Sequence, residues 1–324
     1  MRRLGVEQNG RGVECAEAEN GKVHIAEERP MSSLPIVARL LLAARQAYEI
    51  ETSGSVPTAA PYDKIGWLSA PAGFATGADR IDAALIGQTS GETIVAFRGT
   101  LPPSPDSPDK KQVLLDWLND FDAILAHGDH LPGLVHKGFL DALNALWSDV
   151  ARSVPAGKPI YFTGHSKGGA LANLAAARWA AENVGKTPPI VTTFAAAKPG
   201  DGDFQLEYDK LVPHSLRYEY EDDIVPHLPP GAEFRAMFAK VPLFKDFIAN
   251  SNAKLPEGAV GFVGVGDLKF IDWSDAIVED SVQLRFQRYA HLIGLIVELN
   301  FGRIIADHSL DDGGGYATAI LPTA

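Results

Sequence analysis

The sequence predicts an α/β protein with a central sheet, mostly parallel through its middle and flanked by helices, on three observations. Short runs rich in β-branched and aromatic residues alternate with longer stretches whose apolar residues recur at helical spacing. One alternation, "IYFTGHSKGGA" at 160–170, passes from strand to helix through a turn that holds a serine between two glycines. The chain has 324 residues, 46% of them hydrophobic, which is enough to bury a large core.

Taken in order, residues 1–30 are polar and aperiodic and read as a flexible extension ahead of one folded unit spanning 31–324. Leu34 to Tyr48 carries apolar residues at helical spacing and predicts the first helix. Past a Pro- and Ser-containing link at 52–62, strands are expected at Ala83–Gly87, Thr93–Phe97, Ile160–Thr163, Ile190–Phe194, Leu216–Tyr220 and Val260–Val265. Helices are expected at Val113–His127, Phe139–Val150, Ala170–Asn183 and Gln287–Phe301. The third of these is Ala-rich, places Leu171, Leu174, Ala175 and Trp179 at helical spacing, and meets its stop signal at Gly185.

Composition excludes several classes of function. A net charge of −12 disfavours nucleic acid and anionic membrane surfaces as partners, since phosphate binding draws on clustered Lys and Arg. Cys15 is the single cysteine, so no internal disulfide forms. Arg39 and Glu298 interrupt the longest apolar runs before either could cross a bilayer. The N-terminus has no apolar segment of the kind a secretory signal needs, which favours a cytoplasmic location over export.

The turn at Ser166 carries the chemistry. Gly164 and Gly168 stand two residues either side, where a Cβ would collide across a tight strand-to-helix elbow. An elbow of this kind also sets the serine at the positive end of a helix dipole, where a developing oxyanion is stabilised. The competing reading, a phosphate-gripping loop, lacks any G-x-x-x-x-G-K-[ST] or G-x-G-x-x-G pattern.

A nucleophilic serine needs a base, an orienting acid and two oxyanion donors. Of nine histidines, His165 reads as packing within the elbow, His291 as a core or cap residue, and His127 and His130 as members of a solvated loop. His308 follows a long helix, enters a polar loop, and fits the chain order serine, acid, histidine. Glu221, Asp222 and Asp223 compete for the acid at the end of the strand in "SLRYEYEDDIVPHLPP". The amides of Lys167 and of Thr100, which follows the strand in "TIVAFRGT", are the candidate oxyanion donors. Arg98 is expected in a structural ion pair, with Asp120 as a candidate partner.

The ordered set "VAFRGT", "DWLNDFDA", "HKGFLDAL", "IYFTGHSKGGALANLAAARW", "VTTFAAAKPGDGDF", "EDDIVPHLPP", "FVGVGDLKFID" and "DHSLDDGGGY" resembles the fungal-type class 3 lipases of the α/β-hydrolase fold. The resemblance runs from about residue 34 to 317. It implies Ser166 as nucleophile, Asp223 as the acid before the Ile-Val-Pro step, His308 as base, and Thr100 with Lys167 as oxyanion donors. It also implies a lid at "LPPSPDSPDKKQVLLDW" and the activity of a serine carboxylic ester hydrolase on acylglycerols or other lipid esters, with neither metal nor organic cofactor. Short-chain, phospholipid and feruloyl esters fit the same machinery, and a silent scaffold that binds a ligand or protein is the alternative of another class.

Three features depart from the family pattern. Lys167 replaces the usual leucine after the nucleophile, and Ala195, Ala197 and Lys198 replace its Gly, Pro and Arg. The lid segment is short and polar until Val113. Residues 234–250, with Phe238, Leu243, Phe244 and Phe247 among them, either roof an acyl pocket or pack as ordinary core.

Overall fold

The computed structural model describes residues 34–51, 53–77, 81–100, 109–120, 124–256, 261–311 and 314–322, with 116–120 described by backbone only. The expectations for residues 1–30 and for the first part of the lid, 101–108, lie outside the described residues.

Eight strands form the main sheet: β1 (Ala72–Thr76), β2 (Asp82–Gln88), β3 (Thr93–Phe97), β6 (Ile160–His165), β7 (Ile190–Phe194), β8 (His214–Tyr220), β9 (Asp267–Ile271) and β10 (Ile277–Glu279), adjacent in that order. A separate antiparallel pair joins β4 (Leu125–Ala126) to β5 (Val135–His136). From β3 through β9 the neighbours run parallel, while β1, β2 and β10 add antiparallel edges. Parallel neighbours require crossovers, and helices supply most of them.

The helices are α1 (Ile36–Gln46), α2 (Lys110–Asp120), α3 (Lys137–Ser153), α4 (Lys167–Glu182), α5 (Gly202–Leu211), α6 (Ala232–Phe238), α7 (Lys245–Lys254), α8 (Val282–Val297), α9 (Phe301–Asp307) and α10 (Gly315–Ile320). The period-2 alternation of the strands divides the core between the two sheet faces. In β3, Ile94 and Ala96 pack with Leu40, Leu41, Ala44 and Tyr316, whereas Val95 and Phe97 pack with Leu143, Leu146, Leu171 and Leu174. Among the described residues no helix is long and apolar enough to cross a membrane.

Several expected elements move. The strand expected at Val260–Val265 does not form: across its described part only Val263 bridges, to Gly200, and pairing resumes in β9 after Gly266, whose φ is 75°. Interleaved glycines leave that run too few side chains to hold a ladder. The helix expected to reach His127 is described as far as Asp120, and Leu125 and Ala126 pair with β5 instead. The helix expected at Gln287–Phe301 begins at Val282, where the Ser281 hydroxyl accepts from the Leu284 amide at 3.1 Å, and ends at Val297. Leu299 then takes a φ of 58°, and the chain restarts as α9. Strands β1 and β10, at the sheet edges, were not expected from the sequence.

Candidate active site

Ser166 sits between β6 and α4 with φ 59° and ψ −131°, a backbone state that a non-glycine residue holds only when its surroundings enforce it. They do so here. Its amide donates to the Phe194 carbonyl at 3.1 Å, and its carbonyl accepts from Gly169 at 3.0 Å and Ala197 at 3.3 Å. A methyl on Gly164 would run into the Gly168 carbonyl, and one on Gly168 would run into Phe97. A methyl on Gly169 would lie 2.6 Å from the Ala196 Cβ. Sheet and helix therefore approach at backbone distance, and the serine is carried out at the apex.

The same approach draws the end of β3 to the elbow. Gly99 leaves no room for a side chain: a methyl there would stand 2.7 Å from the His165 carbonyl and 3.1 Å from the Ser166 Cβ. Thr100 follows directly and is exposed. The Lys167 amide opens α4, where an α-helix leaves its donors without internal partners. The Lys167 amide thus directly follows the serine, and Thr100 follows the glycine packed against it.

His308 does not lie on an open loop as expected. It caps the C-terminus of α9, only 8% exposed, and its ring centroid stands 4.4 Å from that of His165, the residue before the serine. The imidazole is thereby seated against the elbow. Its Nδ1 lies 3.0 Å from each carboxylate oxygen of Asp223. Asp223 is 1% exposed and also accepts from the Tyr316 hydroxyl at 2.7 Å and the Val225 amide at 2.9 Å.

The three acidic candidates separate by their partners. Glu221 pairs with Arg303, while Asp222 accepts from the Trp273 indole at 3.0 Å; only Asp223 reaches His308. Arg303 also contacts Asp307 within α9 at 2.8 Å, and its pair with Glu221 joins that helix to the turn after β8. Glu221, Asp222 and Asp307 are the one carboxylate group among the described residues close enough to hold a metal, and Arg303 is the cation seated there. Burial pushes the Asp307 carboxyl up to about 6, against the downward pull of Arg303.

Other candidates fall outside this centre. His127 and His130 are exposed, as expected, but His291 is exposed as well and stacks on Trp273 at 4.0 Å, so it is neither core nor cap. Arg98 donates to the carbonyls of Ile81 at 3.3 Å and Ile50 at 3.5 Å, while the Asp120 side chain lies outside the described residues. The Lys167 ammonium turns away along the sheet to Asp82, 2.6 Å away. Ala195 holds the φ of 52° that a glycine would adopt without strain. The Lys198 ammonium is buried against the His227 carbonyl at 3.0 Å, and burial pulls it down to about 8.

Phe238 and Phe244, expected either to line an acyl pocket or to pack as core, prove to be core. Both are fully buried, stacked and edge-packed with Phe234 and Tyr289. Leu243 and Phe247 are partly buried against the same cluster. Next to it, Met237, Phe286 and Tyr289 help line a groove of about 230 Å³ between α6 and α8. Sequence reasoning missed Tyr316 although it closes the block "DHSLDDGGGY", and it assigned His165 to packing when both of its ring nitrogens are hydrogen-bonded.

A family profile described as Lipase (class 3) matches residues 94–233. A Caenorhabditis elegans protein named Lipase ZK262.3 is 37% identical over 102 residues, which is 30% of this chain and 29% of that protein. The chain therefore spans about three tenths of the length of the curated relative it matches. Among solved structures, the native propeptide complex of Rhizomucor miehei lipase superimposes with a TM-score of 0.55 at 20% identity, over 74% of this chain and 68% of that one. A triacylglycerol lipase whose catalytic centre is described as a serine protease triad superimposes at 0.51 and 20% identity, over 72% and 78% of the two chains. At such identity the likeness is one of fold.

Proposed function

We propose, from the match of residues 94–233 to the class 3 lipase family, that the chain is a serine carboxylic ester hydrolase with Ser166, His308 and Asp223 as its triad. The observation that carries this reading is the strained Ser166 at the elbow, with the His308–Asp223 pair packed against it. With Nδ1 committed to Asp223, His308 uses Nε2 to take the proton from the Ser166 hydroxyl as it attacks the ester carbonyl. The tetrahedral oxyanion is met by the Thr100 and Lys167 amides, aided by the N-terminal end of the α4 dipole. His308 then protonates the departing alcohol, and water repeats the sequence on the acyl enzyme. Asp223 holds the imidazole in the tautomer that leaves Nε2 able to accept, and stabilises the imidazolium while it lasts.

A lipid or other acyl ester is the substrate class, with acylglycerols foremost and the segment around 101–117 acting as lid. Leu243 and Phe247, partly buried against the aromatic cluster, are candidates from that stretch to contact an acyl chain. Ser166→Ala is expected to leave a folded protein whose turnover falls by roughly three orders of magnitude or more. Near-normal hydrolysis by that variant would refute the triad. A series of chromogenic esters of rising acyl length fixes the substrate: a rate maximum at acetate or butyrate, with emulsified triglyceride untouched, replaces lipase with esterase.

A further inference from the structure

His165 stands directly before the nucleophile, yet both of its ring nitrogens are in use. Nε2 lies 2.8 Å from the backbone carbonyl oxygen of His308, and Nδ1 lies 2.8 Å from the Tyr48 hydroxyl. A carbonyl oxygen only accepts, so Nε2 carries the proton and Nδ1 is the acceptor. Tyr48 therefore donates, and its own oxygen accepts from the Gly99 amide. The chain of donors has one direction: Gly99 amide, Tyr48 hydroxyl, His165 ring, His308 carbonyl. It begins one residue before the oxyanion donor Thr100 and ends on the backbone of the catalytic base.

Resting on the triad reading above, we propose that His165, set by Tyr48, is a positioning residue that ties the placement of the His308 imidazole to the loop carrying the oxyanion donor. Asp223 holds the His308 ring at Nδ1, while His165 holds its main chain. With both points anchored, little freedom remains to the imidazole except the small approach that proton transfer needs. Burial, reinforced by the nearby His308, depresses the basicity of His165 well below that of a free imidazole, consistent with a neutral ring that serves as a fixed donor and takes no proton from the reaction.

The test combines a tautomer measurement with a pair of variants. In the Ser166→Ala protein, the ¹⁵N shifts of His165 should report Nε2 protonated and Nδ1 unprotonated from pH 6 to pH 8, whether or not the protein hydrolyses anything. A protonated Nδ1, or an imidazolium at pH 6, overturns the proposal. In the active enzyme, His165→Leu should lower kcat by about 10- to 100-fold with KM within about twofold, as a misplaced base would. His165→Gln keeps a neutral amide donor near the Nε2 position and should recover most of that loss. Full turnover in His165→Leu, or equal losses in both variants that follow their drop in Tm, overturns the proposal. Wild-type protein that fails to take a fluorophosphonate on Ser166 defeats the hydrolase reading separately, and the tautomer measurement then judges the hydrogen-bond chain alone.

Discussion

Asp223 is the most heavily constrained side chain of the centre. It is buried, it contacts His308 through both oxygens, and Tyr316 and the Val225 amide donate to it. The Tyr316 hydroxyl accepts in turn from the Tyr220 amide at 3.0 Å, so one phenol links α10, β8 and the acid. Tyr316→Phe removes a donor from a buried carboxylate and an acceptor from a buried amide. It is expected to cost about 1–3 kcal/mol of stability and to lower kcat more than it changes KM, measured by denaturant melts and steady-state kinetics. The elbow was legible in the sequence because its serine and glycines sit in one short local pattern. The contribution of Tyr316 was not, because it depends on a contact 93 residues away in the chain. His165 was misread for a related reason: a buried imidazole in a tight turn looks like packing until its two distant partners are placed.

At the scale of elements, α9 leads to His308, and Arg303 fastens that helix to the turn after β8 through Glu221, while Asp307 of the same helix accepts from the Asp222 amide. The native Asp307 carboxyl titrates near 6, above the ordinary carboxylate value, so the folded state binds its proton more readily than the unfolded chain does. Its ionisation therefore lowers stability as pH rises from about 4 to about 6. Arg303→Ala removes the cation that offsets this cost, so the deficit of the variant should be smallest near pH 4 and largest near pH 7. Urea melts across that range check it; a deficit independent of pH contradicts the assignment. Strands β3 and β7 matched their expected limits because each is a fully or nearly fully buried run with no glycine. The stretch around Val263 failed because hydrophobicity reports burial, and a buried coil bridged once to Gly200 is as apolar as a strand.

Across the whole molecule, the far side of the sheet is joined to α8 by an ion pair cut off from solvent. Glu219 on β8 contacts Arg288 on α8 and Arg217 beside it, and Arg288 lies over the Phe270 ring at 4.4 Å. Burial alone would push Glu219 up, but Arg288 and then Arg217 outweigh it and hold the carboxyl down to about 2. A depressed folded value means that this contribution is present above the unfolded value of about 4.5 and is lost as pH falls toward 2. Glu219→Gln leaves a buried guanidinium uncompensated and is expected to cost about 3–5 kcal/mol at pH 7, with the difference from wild type shrinking through that acid window. Thermal melts at pH 7, 4 and 2.5 test both the size and the direction. The parallel middle of the sheet and the helices that flank it followed from the alternation of patterns, whereas the partner of each buried charge is a property of the assembled fold alone.

Because an acid saturated with donors fixes the ring it orients, the His308 imidazole is already set in place before any substrate arrives. Under the proposed hydrolase reading, throttling by dismantling the centre would mean unmaking part of the core, so control falls to whatever admits or bars substrate at the mouth of the site.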